Sequence, residues 1–140
     1  MPRPRGEIFA FFADAANLKL MTPPNVGFEM LTPAPIEMHV GTRIDYRIKQ
    51  FGVPLTWKLR VEAYVPLERF EDEQLAGPFK RWHHTHTFRD APGGGTVVGD
   101  RVDYEVGFGP LGELANALVV KRQLNAIFAY RESALRERFG

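Results

Sequence analysis

The chain has 140 residues, 44% of them hydrophobic, with a formal net charge of +1. That length suits one domain, residues 1–140, and that apolar content excludes a disordered chain. The charge balance excludes a nucleic-acid partner of the ordinary kind, which needs a clustered basic face. There is no cysteine, so disulfides and thiolate metal sites are ruled out. No apolar run approaches the roughly 18 residues that span a bilayer, so no integral membrane segment is expected. The N-terminus lacks a signal-peptide core before Asp14. These features together predict a cytoplasmic protein.

Glu7 to Ala16 is predicted helical, with Ile8, Phe11 and Phe12 on one face and Pro4 suited to its start. Pro23 and Pro24 end this region. From Val26 to Val106 the period changes to two. Ile44, Tyr46 and Ile48 alternate with charged residues, and so do Trp57, Leu59 and Val61. Val98, Val102, Tyr104 and Val106 share one parity, with Asp100 among them. One apolar and one wet face describe an antiparallel sheet covered on one side. Breakers at Gly52, Pro66, Gly77-Pro78 and Pro92 to Gly95 divide it into about six strands in meander order. Gly93-Gly94-Gly95 reads as a hairpin turn.

Gly109-Pro110 opens a long helical stretch, Leu111 to Phe139, a rod of roughly 43 Å at 1.5 Å per residue. Leu114, Leu118, Leu124, Ile127, Phe128 and Leu135 supply its apolar face. Only the long, twisted sheet offers a bed for such a rod. The predicted class is therefore α+β, a curved antiparallel sheet wrapped around a long C-terminal helix. A single rod does not fill the concave face of a bent sheet. Large side chains fill the remainder, and the chain has 11 Phe for the purpose, or an apolar pocket is left for a guest.

In the strand around residue 84, Trp82, His84, His86 and Phe88 point one way and His83, Thr85 and Thr87 the other. An H-x-H pair can form half of a zinc site, but no third ligand is near in sequence, and His39, Asp103 and Glu105 are remote. No metal and no cofactor is expected. His84 and His86 read either as structural histidines or as polar handles for a guest's carbonyl or hydroxyl. Tyr46 and Tyr104 suit pocket walls, whereas Trp57 reads as ordinary core. Arg131, one turn after Phe128, suits pairing with a sheet carboxylate, Asp100 being a candidate, or a guest's anionic group. The run Glu71-Asp72-Glu73 reads as a solvated strand edge. No activated nucleophile or phosphate loop is present.

The segment Gly77-Pro78-Phe79-Lys80-Arg81-Trp82-His83-His84-Thr85-His86-Thr87-Phe88 resembles a strand motif of the START-like, polyketide cyclase/dehydrase (SRPBCC) superfamily. So do Gly95 to Val98, Asp100 to Glu105, Gly109-Pro110-Leu111-Gly112, Ile127 to Arg131, and Asn17-Leu18 with Met21-Thr22-Pro23. The branch it most resembles contains coenzyme Q-binding START proteins. The resemblance implies a helix-grip fold whose internal cavity binds, transports or senses a small hydrophobic molecule: a lipid, a quinone or a polyketide. Other members imply two alternatives, an aromatic cyclase or dehydratase using His84 or His86 to move a proton, and an interaction protein acting on a large partner such as the ribosome. The ligand-binding residues expected are Trp82, His84, His86, Phe88, Tyr46, Tyr104, Leu118, Phe128 and Arg131. The family's first strand is missing or cut to a stub, since only Met1 to Gly6 precede the first helix. Either the true start lies upstream of Met1, or a homodimer covers the exposed sheet edge.

Overall fold

The computed structural model describes residues 1–33, 36–50, 53–107, 109–115 and 119–140. Helix α1 spans Arg5–Ala13 and starts directly after Pro4, whose fixed φ suits a helix entrance. Asp14 closes it in an extended conformation, and its side chain accepts a hydrogen bond from the Ala16 amide. The chain then continues in 3-10 turns over Ala15–Met21 and Pro24–Val26. The helix is thus shorter than its apolar pattern suggests, because the Asp14 cap competes with another α-helical turn.

Six strands follow: β1 Glu29–Met30, β2 Arg43–Gln50, β3 Val53–Val65, β4 Arg69–Ala76, β5 Arg81–Asp90 and β6 Thr96–Glu105. They form one sheet in the order β1-β2-β3-β4-β5-β6, with antiparallel pairing throughout. Pro66, Gly77-Pro78 and Pro92 to Gly95 fall between strands as expected, while Gly52 lies outside the described residues. Register shifts at Lys58/Leu59 and Val61/Ala63 interrupt the pairing of β3 with β4. Such bulges bend a strand and increase its twist, which curves the sheet.

A stub does occupy the place beside β6. The Met1 amino group donates to the Thr96 carbonyl at 2.9 Å, and the Thr96 amide donates back to the Met1 carbonyl at 2.8 Å. Thr96 is 1% exposed, and its hydroxyl donates to the Arg3 carbonyl. Beyond Thr96, β6 is the terminal strand of the sheet.

The C-terminal segment is described as two helices, α2 over Gly109–Ala115 and α3 over Lys121–Phe139. The buried positions of α3 are Arg131, Leu135 and Phe139, a stripe at four-residue spacing. Leu114, expected on the same apolar face, is 56% exposed. Leu111 is likewise 75% exposed. Leu118 lies outside the described residues.

The concave face holds two groups of buried side chains. Ile8, Phe9, Phe11 and Phe12 of α1 pack with Phe70, Phe88, Leu135 and Phe139. Ala15, Ile44 and Tyr46 form the second group, with Trp57 and Leu59 against it. Each large apolar side chain removed from water contributes about 1.5–3 kcal/mol. The α1 rings meet edge-on, Phe9 at 5.0 Å and Phe12 at 5.3 Å from Phe88, and they wedge one end of the sheet against α3.

Candidate functional site

Between the two packed groups lies a cavity of about 650 Å³. Its wall is mostly apolar: Leu18, Met21, Phe28, Ile44, Leu59, Val61, Trp82, Leu124, Ile127 and Phe128 contribute. Strand parity explains the composition, since alternate residues of β2, β3 and β5 face inward. The polar exceptions cluster in one place. Asp72 of β4, His84 and His86 of β5, and Arg131 of α3 all border the cavity, and Asp100 of β6 joins them through hydrogen bonds and ion pairs.

These five groups form one network. His84 Nε2 donates to Asp100 Oδ1 at 3.0 Å, and His86 Nε2 donates to Asp72 Oδ2 at 3.3 Å. His86 Nδ1 stands 3.0 Å from Asp100 Oδ1 but off the line of a hydrogen bond, so that contact is Coulombic. Arg131 Nη1 reaches Asp100 Oδ1 at 3.8 Å, which makes Asp100 its sheet carboxylate. The Arg131 guanidinium also lies 5.1 Å from the centre of the Phe128 ring.

Burial and charge move the protonation equilibria of the whole set. Burial, then the charge of His86, push His84 down to about 4. Burial also works against charge on His86, but its close contacts with Asp100 and Asp72, the latter a hydrogen bond, overcome it and raise its pKa. Burial would raise both aspartates, yet the histidine hydrogen bonds hold Asp72 below its ordinary value and Asp100 far below it. Burial pulls Arg131 down, opposed by Asp100 and Asp72. Burial, then Asp72, raise the Tyr46 hydroxyl. The network therefore makes His84 the weaker base and His86 the stronger, beside two carboxylates and one guanidinium.

Of the expected ligand-binding residues, Tyr46, Trp82, His84, His86, Phe128 and Arg131 line this cavity. Phe88 does not border it. It packs among Phe9, Phe12 and Phe70, because its position near the end of β5 lies under α1. Tyr104 borders a separate groove between β6 and α3, and its ring meets Phe79 at 5.6 Å. Trp57, expected as plain core, is in the cavity wall, and its indole Nε1 is buried without a hydrogen-bond partner.

Asp72 is the residue that sequence reasoning misses. Its acidic neighbours suggest a solvated run, but its side chain is only 17% exposed and points at His86. The available signal is parity: Phe70, two residues earlier, is buried on the same face. The remote metal-ligand candidates do not converge here. His39 binds the Val40 carbonyl, Asp103 pairs with Arg101, and Glu105 pairs with Lys80. Asp72 instead supplies a third donor, and its carboxylate lies within 4.8 Å of the donor atoms of His84 and His86. Such a set suits a divalent cation in principle. Here His86 already donates a proton to Asp72 and Arg131 stands beside Asp100, so a cation would have to displace a proton beside a fixed positive charge.

Among solved structures the fold is shared with a Thermus thermophilus protein at 19% identity and a TM-score of 0.71, covering 100% of this chain and 94% of that one. A Rhodobacter sphaeroides protein at 19% identity has a TM-score of 0.67, covering 96% of this chain and 84% of that one. A Mycobacterium smegmatis protein at 17% identity also has a TM-score of 0.67, covering 99% of this chain and 87% of that one. No curated protein matches the chain. No described helix is long and apolar enough to cross a membrane. The family model described as "Polyketide cyclase / dehydrase and lipid transport" matches residues 1–128, without specifying the coenzyme Q-binding branch. With a bent six-stranded sheet, a C-terminal helix and a hollow between them to match, the chain belongs to the polyketide cyclase / dehydrase and lipid transport family.

Proposed function

We propose that the protein binds a small hydrophobic molecule in this cavity and carries or senses it. The observation that supports this reading is the hollow itself, about 650 Å³ of largely apolar wall where a close-packed core would otherwise sit. Apolar burial supplies affinity, and the Asp72–His84–His86–Asp100–Arg131 network at one side supplies orientation. Native mass spectrometry of protein taken directly from cells tests it. A retained apolar molecule is expected, and it should vanish when Leu59→Trp fills the wall. A Leu59→Trp variant that keeps the same bound mass would remove the reading.

A proton-moving enzyme is the second reading, favoured by one feature: a neutral His84 that donates Nε2–H to Asp100 and borders the cavity. In that case His84→Gln abolishes turnover of the bound molecule while leaving its binding intact. A homodimer through the open β6 edge is a separate proposal, supported by β6 being the terminal strand beyond its Met1 contact. A single monomeric boundary in sedimentation velocity at tens of micromolar would end it.

A further inference from the structure

We infer that the guest is a neutral carbonyl compound whose oxygen docks on the Arg131 guanidinium, with a second acceptor oxygen reaching the Trp57 indole. This rests on the cavity-binding reading above and specifies its ligand. Among the described residues, the buried side-chain polar atoms without a hydrogen-bond partner are Trp57 Nε1, His86 Nδ1, and Arg131 Nε and Nη1. His86 Nδ1 already has a carboxylate at 3.0 Å, and Arg131 Nη1 has only a distant one at 3.8 Å. The remaining unmet groups are all donors, on residues that border the cavity. Of the nearby carboxylates, Asp72 Oδ2 accepts from His86 and Asp100 Oδ1 accepts from His84. A guest offering oxygen lone pairs meets two buried, vacant donor positions that are costly to leave unmet.

Charge decides between a carbonyl and a carboxylate. Asp100 already faces Arg131, and Asp72 stands beside His86 in the same cluster, so a bound anion would add a third buried negative charge. A neutral oxygen adds none. Trp57 meets Trp82 at 4.9 Å, Trp82 meets His84 at 6.1 Å, and His84 meets Phe128 under the guanidinium at 5.7 Å. A run of aromatic rings thus connects the two donor-bearing residues, a wall suited to a flat, unsaturated body.

The test is calorimetric titration of the whole protein with three probes of one shape: 2-acetonaphthone, its hydrocarbon isostere 2-isopropenylnaphthalene, and 2-naphthoate. The ketone is expected to bind about tenfold tighter than the alkene, the value of a hydrogen bond to a charged donor. The naphthoate is expected to bind more weakly than the ketone. In Arg131→Met the ketone–alkene gap should fall below about threefold while alkene affinity is kept. Arg131→Leu, which also carries no donor, covers the case in which the methionine variant does not fold, and the same narrowing is expected. Equal affinities for ketone and alkene in the unaltered protein overturn this inference alone, since water would then be capping the donors. A gap that survives both substitutions, or a naphthoate that binds tightest, also overturns it. Failure of all three probes to bind removes the cavity-binding reading itself.

Discussion

The rings of His84 and His86 stack with centroids 3.8 Å apart, yet their surroundings shift their pKa values in opposite directions. Both are buried. The difference lies in their carboxylate neighbours: His86 stands between Asp72 and Asp100, whereas His84 hydrogen-bonds to Asp100 alone and faces the His86 charge. A proton added to one therefore repels a proton on the other, and the pair titrates as a coupled unit.

This coupling sets the pH dependence of stability. A histidine lowered to about 4 in the folded state binds its proton more tightly when unfolded, so His84 costs stability as pH falls from about 6.5 to 4, by about 3 kcal/mol at the limit. His86 is raised, so its contribution is full below its unfolded value and is lost as pH rises through its folded value. Asp72 and Asp100 are lowered, so theirs is present above the ordinary carboxylate value and lost below it. Urea denaturation across pH should show a maximum near 6.5. His84→Gln should flatten the limb between about 6.5 and 4. An acid limb that keeps its slope in that variant would assign the loss to other groups.

Asp100 is the hub, touching His84, His86 and Arg131 through one oxygen. Asp100→Asn keeps the shape and removes the charge, leaving Arg131 and His86 to repel each other in a buried site. The expected loss is about 3–5 kcal/mol in chemical denaturation. Adding Arg131→Met should recover part of it, because the uncompensated guanidinium goes as well. Strict additivity of the two substitutions would show that the 3.8 Å contact carries no coupling.

Much of this arrangement is legible in the sequence, and the failures have physical causes. The alternation through Trp57, Leu59 and Val61 and through Trp82, His84 and His86 places those residues on the concave face, because strand geometry is local. The network's composition is not local. Asp72 sits in a run of acids that on its own is most cheaply solvated, and only a charged histidine on the neighbouring strand makes its inward position favourable. The same holds for Leu114, whose exposure depends on how α2 lies against the rest of the chain and not on its spacing from Leu124. The cavity follows from a bent sheet and a single rod, but the unmet donors of Trp57 and Arg131 depend on where every neighbouring acceptor points.

At the N-terminus, Gly95 is where Met1 approaches β6. A Cβ on Gly95 would stand 2.5 Å from the Met1 carbonyl oxygen, a backbone atom that cannot turn aside. Gly95→Val should therefore displace Met1 and release the Thr96 amide, which bonds to that same oxygen. Hydrogen exchange at Thr96 is expected to accelerate at least about tenfold, with a stability loss of about 1–3 kcal/mol. Unchanged protection at Thr96 would show that the stub shifts without undocking.

The far end of α3 closes the structure through aromatic contact. Phe139, 8% exposed, meets Phe11 of α1 edge-on at 5.1 Å, and Arg138 lies over the same Phe11 ring at 4.9 Å. Two helices far apart in sequence are thus pinned at one point, two turns beyond Arg131. Phe139→Ala removes the ring and leaves a void that a chain end relaxes into only partly, so a loss of about 3 kcal/mol is expected. Hydrogen exchange should rise first in the last turns of α3 and less around Arg131, because Leu135 still anchors the middle of the stripe. Exchange that rises equally along α3 would mean that the pin sets the register of the whole helix, and the Arg131–Asp100 contact should then weaken as well.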